Sequence, residues 1–312
     1  MSKPSRAAAA ILLLVLLGVA CSRGGGRRAA PQPNELVVQV ASYDLAVGEG
    51  RFIVGLLTPG QDLISHGAVK MRFAFLGTKS NPRSAKYGLP VTGRFLPIPA
   101  SPSGPSEGPV AGPASEGRGV YGTQASFDRH GFWQVEVAAD LKGDGPRTGT
   151  AAFRVLEKHR VAGPGDDAPR TENLTLDSKD APRAAIDSRA NGELPDPELH
   201  RTTIAAAIQA GRPALVVFAT PVYCVSRFCG PVTDMVAELA GEYGDRAEFI
   251  HVEIWRDFDQ GTVNRAAAEW LLREGDLQEP WVFLIGGDGK VAARWDNVAT
   301  RGEIEPPLRR LP

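Results

Sequence analysis

The chain has 312 residues, of which 35 are Lys or Arg and 36 are Asp or Glu, so its formal net charge is −1. This even balance excludes nucleic-acid binding through a general basic surface, and partners must be recognised by local chemistry. Hydrophobic residues make up 43% of the sequence and charged residues 23%, as in ordinary globular proteins, and the length is sufficient for two domains.

The first twenty residues have the pattern of an export signal. Lys3 and Arg6 provide a basic start, and residues 7–20 form an apolar stretch that is shorter than the ~20 residues needed to cross a membrane. The stretch ends in small residues directly before Cys21 and resembles a bacterial lipobox, with its leucine one position earlier than usual. The resemblance implies cleavage of the signal before Cys21 and lipid modification of that cysteine. Ordinary signal cleavage and an uncleaved signal anchor are the alternatives.

Residues 21–34 are rich in Gly, Arg and Pro and have no apolar periodicity, as expected of a flexible tether. Together with the leader, this segment predicts a protein that is lipid-anchored at a membrane of the bacterial cell envelope, with its folded part outside the cytoplasm.

Residues 35–157 show the period-two hydrophobicity of half-buried strands. In the string VKMRFAFLG, apolar side chains alternate with Lys70 and Arg72, and the string FWQVEV alternates in the same way. Six or seven such strands without a helical pattern predict an all-β sandwich. The string YGTQASFDRHGFWQVEV resembles the closing strands of bacterial immunoglobulin-like modules, which implies a binding or spacing role. His66 and His130 are interpreted as loop histidines.

Two segments interrupt this organisation. Residues 97–119 are rich in Pro, Gly and Ser and predict a long loop inside the first domain. Residues 158–198 mix charged residues with Pro and Gly and predict an interdomain linker. From residue 199 to residue 312 the pattern changes to alternating strands and helices, in the order β-α-β-α-β-β-α.

That order, with the strings GRPALVVFATPVYC, CGPV and EPWVFLIGGDGKVAARW, resembles the thioredoxin superfamily over a little more than a third of the chain. The resemblance implies an α/β thioredoxin-like domain in which the strand that contains Phe218 leads to a redox cysteine at the start of a helix. It also implies that Pro280, in the cis form, faces the sulfur atoms. The pattern ATPxYC…CGP is also similar to extracytoplasmic bacterial thioredoxin-like lipoproteins.

The cysteine pair departs from the family pattern. Four residues separate Cys224 from Cys229, where thioredoxin has two. Residues five apart in a helix are rotated by about 140°, and their α-carbons exceed the ~7 Å limit for a disulfide, so a bond requires a loop. Either both cysteines precede the regular helix, with Pro231 in its first turn, or Cys229 is the attacking thiol at the helix start and Cys224 resolves it. Val217 stands where many thioredoxins have a buried Asp as proton acceptor.

The first functional hypothesis is thiol–disulfide exchange with thiols or disulfides of envelope proteins, without a cofactor. The residues are Cys224 and Cys229 as the redox pair and Pro280 as the residue that shapes the groove. A thiolate near a helix N-terminus has a lowered pKa, and Arg227 would lower it further. The sequence favours Cys224 as the attacking residue, because it lies at the loop end of the strand that contains Phe218.

Two other hypotheses compete with this one. A structural disulfide is common in exported domains, and the protein would then be a non-enzymatic binding or scaffold lipoprotein. Alternatively, two thiolates and a histidine would suit Cu(I), and His251 is the histidine of this region that a copper-handling protein would use. A strand histidine is usually a core residue with a hydrogen-bond partner, and Glu253 on the same face is the expected partner.

The leader generates a direct prediction. Cys21→Ser should abolish membrane association while both domains stay folded, because a lipid chain and not a spanning helix holds the protein. Fractionation followed by a carbonate wash measures this. A Cys21→Ser protein that stays in the washed membrane pellet would show that residues 7–20 are an uncleaved anchor.

Overall fold

The architecture is given by a computed structural model, which describes residues 35–99, 101, 108–113, 118–226 and 228–311. The leader, the tether, Cys21 and Arg227 lie outside the described residues, so the lipid anchor stays a prediction. The described residues belong to one compact unit that extends from Pro33 to Pro312. None of the helices in the described ranges is long and apolar enough to span a membrane.

The first half of the described chain forms a ten-stranded sheet in which every pair of neighbours is antiparallel. The strand order is β10-β9-β4-β6-β8-β2-β3-β7, and β1 pairs with β2 and β5 with β4. The strands are β1 (Val37–Val40), β2 (Gly48–Leu57), β3 (Leu63–Ser65), β4 (Ala68–Thr78), β5 (Asn81–Pro82), β6 (Val91–Pro97), β7 (Val110–Gly112), β8 (Gly119–Phe127), β9 (Gly131–Leu141) and β10 (Gly145–Val155).

Alternation of side chains explains why these segments are strands. Along β9, Trp133, Val135 and Val137 are buried, and the residues between them are less buried. Aromatic rings fill the enclosed core, where Phe52 and Phe73 meet edge to face with centroids 4.9 Å apart. The predicted half-buried strands are therefore present.

The predicted immunoglobulin-like sandwich is wrong. A sandwich consists of two separate facing sheets, whereas β1–β10 belong to one hydrogen-bonded sheet. The edges of this sheet also meet, because Leu36 N–H donates to Thr148 O (2.7 Å) and Val47 N–H donates to Leu156 O (3.0 Å). Period-two alternation shows only which face of a strand is buried. The same face is buried in a sandwich of two sheets and in one sheet whose edges meet, so the pattern does not distinguish them. The predicted loop at 97–119 contains β7, and part of this segment lies outside the described residues.

The C-terminal part contains a four-stranded sheet of order β12-β11-β15-β16 and a short hairpin of β13 and β14. The strand β11 is parallel to β12 and antiparallel to β15, which is antiparallel to β16. The elements are α1 (Ile204–Gln209), β11 (Ala214–Ala219), α2 (Cys229–Tyr243), β12 (Glu248–Glu253), β13 (Trp255–Asp257), β14 (Thr262–Val263), α3 (Arg265–Leu271), β15 (Trp281–Ile285), β16 (Val291–Asp296) and α4 (Arg301–Arg309), with 3₁₀ turns at Arg183–Ala185 and Pro197–His200.

The predicted combination of an immunoglobulin-like module with an α/β thioredoxin-like domain is not what the structure shows. Within the described residues, strands hold 40% and helices, 3₁₀ turns included, 17%; the largest sheet there is antiparallel, and no thioredoxin-like α/β domain is evident. Helical patterns do produce helices in residues 199–312, but α1, α3 and α4 have six, seven and nine residues. Only α2, with fifteen residues, is longer, and the described part of the chain is mostly β.

Residues 158–198, the predicted linker, are attached to the C-terminal sheet. Gly165 N–H donates to Val291 O (2.8 Å), and Ala168 N–H donates to Gly289 O (2.9 Å), so this segment bonds to the β15–β16 hairpin. Further along, Trp270 Nε1 on α3 donates to Thr171 Oγ1 at 3.0 Å. The domain boundaries stay a prediction. If the chain does divide into two domains, residues 165–171 belong with the C-terminal one.

Arg51 on β2 lies at the centre of an ion cluster that joins the large sheet to the end of the chain. Its Nε donates to Glu303 Oε1 at 2.7 Å, and its Nη1 donates to Asp296 Oδ1 at 3.2 Å. The side chains of Arg51 and Asp296 are each 10% exposed. Burial raises the pKa of Asp296, and the Arg51 charge opposes that rise. Asp296 and Glu303 share this guanidinium, so its removal would leave both carboxyl groups without their cationic partner.

Arg51→Leu should therefore lower the free energy of unfolding by about 3 kcal/mol or more, the usual cost of breaking a buried pair from one side. The matched control is Arg72→Leu, because Arg72 pairs with Glu136 across the large sheet and is 43% exposed. An exposed pair of this kind is worth about 1 kcal/mol or less. Urea unfolding of the three proteins measures the difference, and equal losses in the two variants would contradict a stabilising role of the Arg51 cluster.

Candidate functional site

The two cysteines lie where β11 leads into α2. The strand ends at Ala219, the chain then turns, and α2 begins at Cys229. Cys224 and Cys229 lie at disulfide distance, with their α-carbons 6.0 Å apart. The predicted pairing and its need for a loop are confirmed, because Cys224 lies in the turns before the helix. Cys229 itself is the first residue of the helix and does not precede it.

Cys224 is the more accessible of the pair. Its side chain is half-buried, and its Sγ lies 3.2 Å from Ser226 Oγ. The neighbouring side chains Val222 and Val225 are 55% and 95% exposed, which is unusual for apolar residues in an ordered loop. The loop that contains Cys224 therefore presents apolar area at the surface, next to the cysteine pair.

Cys229 is fully buried and belongs to the core between α2 and the four-stranded sheet. Its carbonyl oxygen accepts a hydrogen bond from Thr233 Oγ1 at 2.8 Å, within the first turns of α2. Its Sγ lies 3.9 Å from Glu279 Oε1. The buried sulfur therefore has a carboxyl group beside it, at the positive end of a fifteen-residue helix.

The peptide bond between Glu279 and Pro280 is cis, as predicted for Pro280. Pro280 is buried directly before β15, and its carbonyl oxygen accepts a hydrogen bond from Asn297 N–H at 2.9 Å. The contact with the cysteine pair that the structure gives is made by the side chain of Glu279. The groove-shaping role of Pro280 stays a prediction.

Glu279 is a residue that the sequence analysis missed. Burial raises the pKa of its carboxyl group, and the negative charge of Glu253 raises it further. A carboxyl group with a raised pKa beside a sulfur atom is suited to exchange a proton with that atom. Val217, at the position where many thioredoxins have a buried Asp, is buried in the core with Cys229. The signal that could have found Glu279 is its position directly before Pro280.

The other predicted pairing, of His251 with Glu253, is replaced by different contacts. His251 Nε2 lies 3.1 Å from Ala219 O, and its Nδ1 lies 3.3 Å from Asp187 Oδ2. Glu253 accepts hydrogen bonds from Ser188 N–H (2.8 Å) and from the backbone that follows β12. Both side chains are buried, as predicted for His251, but the partner of the histidine comes from the predicted linker.

No protein-family model matches the sequence, and no curated protein matches it either.

Glu279 generates a prediction about pH. The pKa of Glu279 is raised above that of an ordinary glutamate, so its carboxyl group loses its proton at a higher pH than usual. Only the deprotonated carboxylate can accept a proton from a thiol. The rate at which the reduced pair closes to a disulfide with glutathione disulfide should therefore rise with pH through that interval, before the thiols themselves titrate. Glu279→Gln should remove this rise, and Glu172→Gln, at an exposed position, should keep it. Rapid acid quenching and mass spectrometry measure the rates. Identical pH profiles for the wild-type protein and Glu279→Gln would exclude the proton exchange.

Proposed function

We propose that the protein carries out thiol–disulfide exchange with partner proteins through Cys224 and Cys229. The observation that carries the proposal is the asymmetry of the pair. One sulfur is half-buried in a loop with exposed apolar neighbours, and the other is buried beside the carboxyl group of Glu279. A purely structural bridge requires neither an accessible sulfur nor an acid next to the inaccessible one.

The exchange starts from the disulfide. A thiolate of the partner attacks Cys224 Sγ, a mixed disulfide forms, and the Cys224–Cys229 bond breaks with Cys229 as the leaving thiolate. The carboxylic acid of Glu279 gives its proton to that thiolate. A second thiolate of the partner then attacks the partner sulfur of the mixed disulfide and releases Cys224 as a thiolate, which takes a proton from water. The partner loses two electrons, and the pair gains them. The reverse sequence reduces a partner disulfide, with Cys224 as attacker and Glu279 as proton acceptor.

The proposed place of action is outside the cytoplasm, at a membrane of the bacterial cell envelope, with the protein tethered through Cys21. The support is the basic start, the short apolar stretch and the small residues before Cys21. The partners would be envelope proteins with thiols or disulfides. A disulfide-forming pair is consistent with an oxidising compartment.

The copper hypothesis requires His251 beside the two cysteines, and His251 does not lie in their group. The donor atoms of Cys224, Cys229 and Glu279 lie within 4.8 Å of one another, whereas His251 belongs to a separate group with Asp187 and His200. The hypothesis of a scaffold with a structural disulfide becomes an outcome of the test that follows.

The test is the reduction potential of the pair, measured by equilibration in glutathione and dithiothreitol buffers. Thiol–disulfide exchange requires a potential above the roughly −300 mV below which structural disulfides fall. In addition, Cys229→Ser should trap a mixed disulfide with a peptide disulfide at Cys224, while Cys224→Ser, the matched variant, should trap little because Cys229 is buried.

A potential below that value, or a bridge that dithiothreitol opens only in denaturant, would overturn the proposal and leave a structural disulfide. Faster trapping at Cys229 than at Cys224 would keep the chemistry and reverse the two roles.

A further inference from the structure

A second group of chemically active side chains lies away from the cysteines, in the interior of the C-terminal part. Asp187 follows the 3₁₀ turn Arg183–Ala185, His200 ends the turn Pro197–His200, and His251 lies on β12. All three side chains are 0% exposed. One donor atom of each lies within 4.8 Å of the other two.

The hydrogen bond of His251 fixes its tautomer. Nε2 lies 3.1 Å from the backbone carbonyl oxygen of Ala219, and a carbonyl only accepts, so Nε2 carries the proton. In the neutral imidazole Nδ1 then presents a lone pair. Nδ1 lies 3.3 Å from Asp187 Oδ2, which is also an acceptor. Two acceptors at this distance in a buried site need either a second proton, on Nδ1, or a metal cation between them.

His200 also has a ring nitrogen beside the Asp187 carboxylate without hydrogen-bond geometry. Its Nε2 lies 3.5 Å from the same Oδ2 of Asp187. Neither ring nitrogen of His200, nor Nδ1 of His251, has a hydrogen-bond partner among the residues that the structure describes. An unsatisfied buried polar group costs about 1–3 kcal/mol. Two of these nitrogen atoms, His200 Nε2 and His251 Nδ1, lie beside the same carboxylate oxygen, and a bound cation would satisfy both.

The distances fit a metal ion better than direct hydrogen bonds. Two ligands of a tetrahedral Zn²⁺, each bound at ~2.0–2.1 Å, are about 3.4 Å apart. The two histidine nitrogen atoms lie 3.3 Å and 3.5 Å from the Asp187 oxygen, and neither contact has hydrogen-bond geometry. The remaining N–H of His251 is bonded to a backbone carbonyl, as is usual for a histidine that binds a metal.

The surrounding charge fits a divalent cation. Arg189 donates from Nε to Asp187 Oδ1 (3.1 Å) and from Nη2 to Asp187 Oδ2 (2.8 Å), which leaves a second lone pair on Oδ2. The same guanidinium donates to Asp196 and Asp234, each at 2.8 Å. Asp196 and Asp234, whose side chains are 29% and 63% exposed, draw part of the Arg189 charge away from the buried Asp187.

We propose that Asp187, His200 and His251 bind one Zn²⁺ ion, which fastens residues 183–200 onto β12. Imidazole and carboxylate ligands suit this ion. The three side chains are buried and come from separate parts of the chain, so the ion would join those parts, and a water molecule would complete its tetrahedral coordination. The proposal is independent of the thiol–disulfide chemistry, since it uses none of those residues.

The test uses the exported chain without an affinity tag and with the disulfide intact, so that the cysteines bind no metal. After incubation with Zn²⁺ and desalting, elemental analysis should find about one Zn²⁺ per chain, as a structural site predicts. A chelator should lower the thermal midpoint, and Zn²⁺ alone should restore it. Co²⁺ in place of Zn²⁺ should give the visible absorption of a tetrahedral nitrogen–oxygen site, a readout that requires no variant.

His200→Gln should weaken Zn²⁺ binding by more than the roughly 10–100-fold that loss of an outer-shell partner costs. Arg189→Gln, which removes such an outer-shell partner, should fall within that range. The matched control is His130→Gln, because His130 is exposed in the turn before β9 and should not change the affinity. Circular dichroism shows whether each variant is folded.

Absence of retained Zn²⁺, together with a thermal midpoint that neither chelator nor Zn²⁺ changes, would overturn the proposal. The cluster would then be a hydrogen-bonded group with a charged His251. Equal Zn²⁺ binding by the wild-type protein and a folded His200→Gln would also overturn it, because the ion would be bound elsewhere.

Discussion

The register of β11 against its two neighbours is the constraint on which the candidate site depends. Ala219, the last residue of β11, lies opposite Glu253 of β12, and Phe218 lies opposite Trp281 of β15. Because β15 is antiparallel to β11, the residues that precede β15 lie at the same edge of the sheet as the residues that follow β11. This edge therefore brings together the cysteine loop, the Glu279–Pro280 bond and Glu253. A one-residue slip would turn every side chain of β11 to the opposite face.

Burial gives this edge its chemistry. Glu253 and Glu279 are acids whose pKa values burial raises, and the charge of Glu253 adds to the rise at Glu279. The structure tolerates the buried Glu253 because its carboxylate accepts backbone hydrogen bonds from Ser188 and Ile254. Cys229 lies at the start of α2, where the helix favours a negative sulfur, and Glu279 beside it can hold the proton. Acidic side chains in a core are costly, and their position beside a disulfide pair is a reason to look for function there.

Local sequence patterns predicted the strands and helices, whereas the pairing of distant strands determined the fold. Period-two alternation located strands such as β4 and β9, and helix geometry required the loop between Cys224 and Cys229. The immunoglobulin-like and thioredoxin-like folds were wrong, because alternation does not specify which strands become neighbours. Asp187, His200 and Glu279 were not predicted from the sequence. Asp187 meets His251, and Glu279 meets Cys229, across 64 and 50 residues of chain, and no spacing rule connects residues so far apart.

Ser188 connects the two buried groups physically. It directly follows Asp187, its N–H donates to Glu253 Oε2 at 2.8 Å, and its Oγ accepts a hydrogen bond from Val222 N–H at 3.2 Å. One residue therefore holds the acid behind the site and the backbone of the loop that contains Cys224. Loops with few buried contacts are usually mobile, and this one is fixed from outside by the predicted linker. The geometry of the cysteine pair consequently depends on whatever holds Asp187, because the position of Ser188 is set by its neighbour.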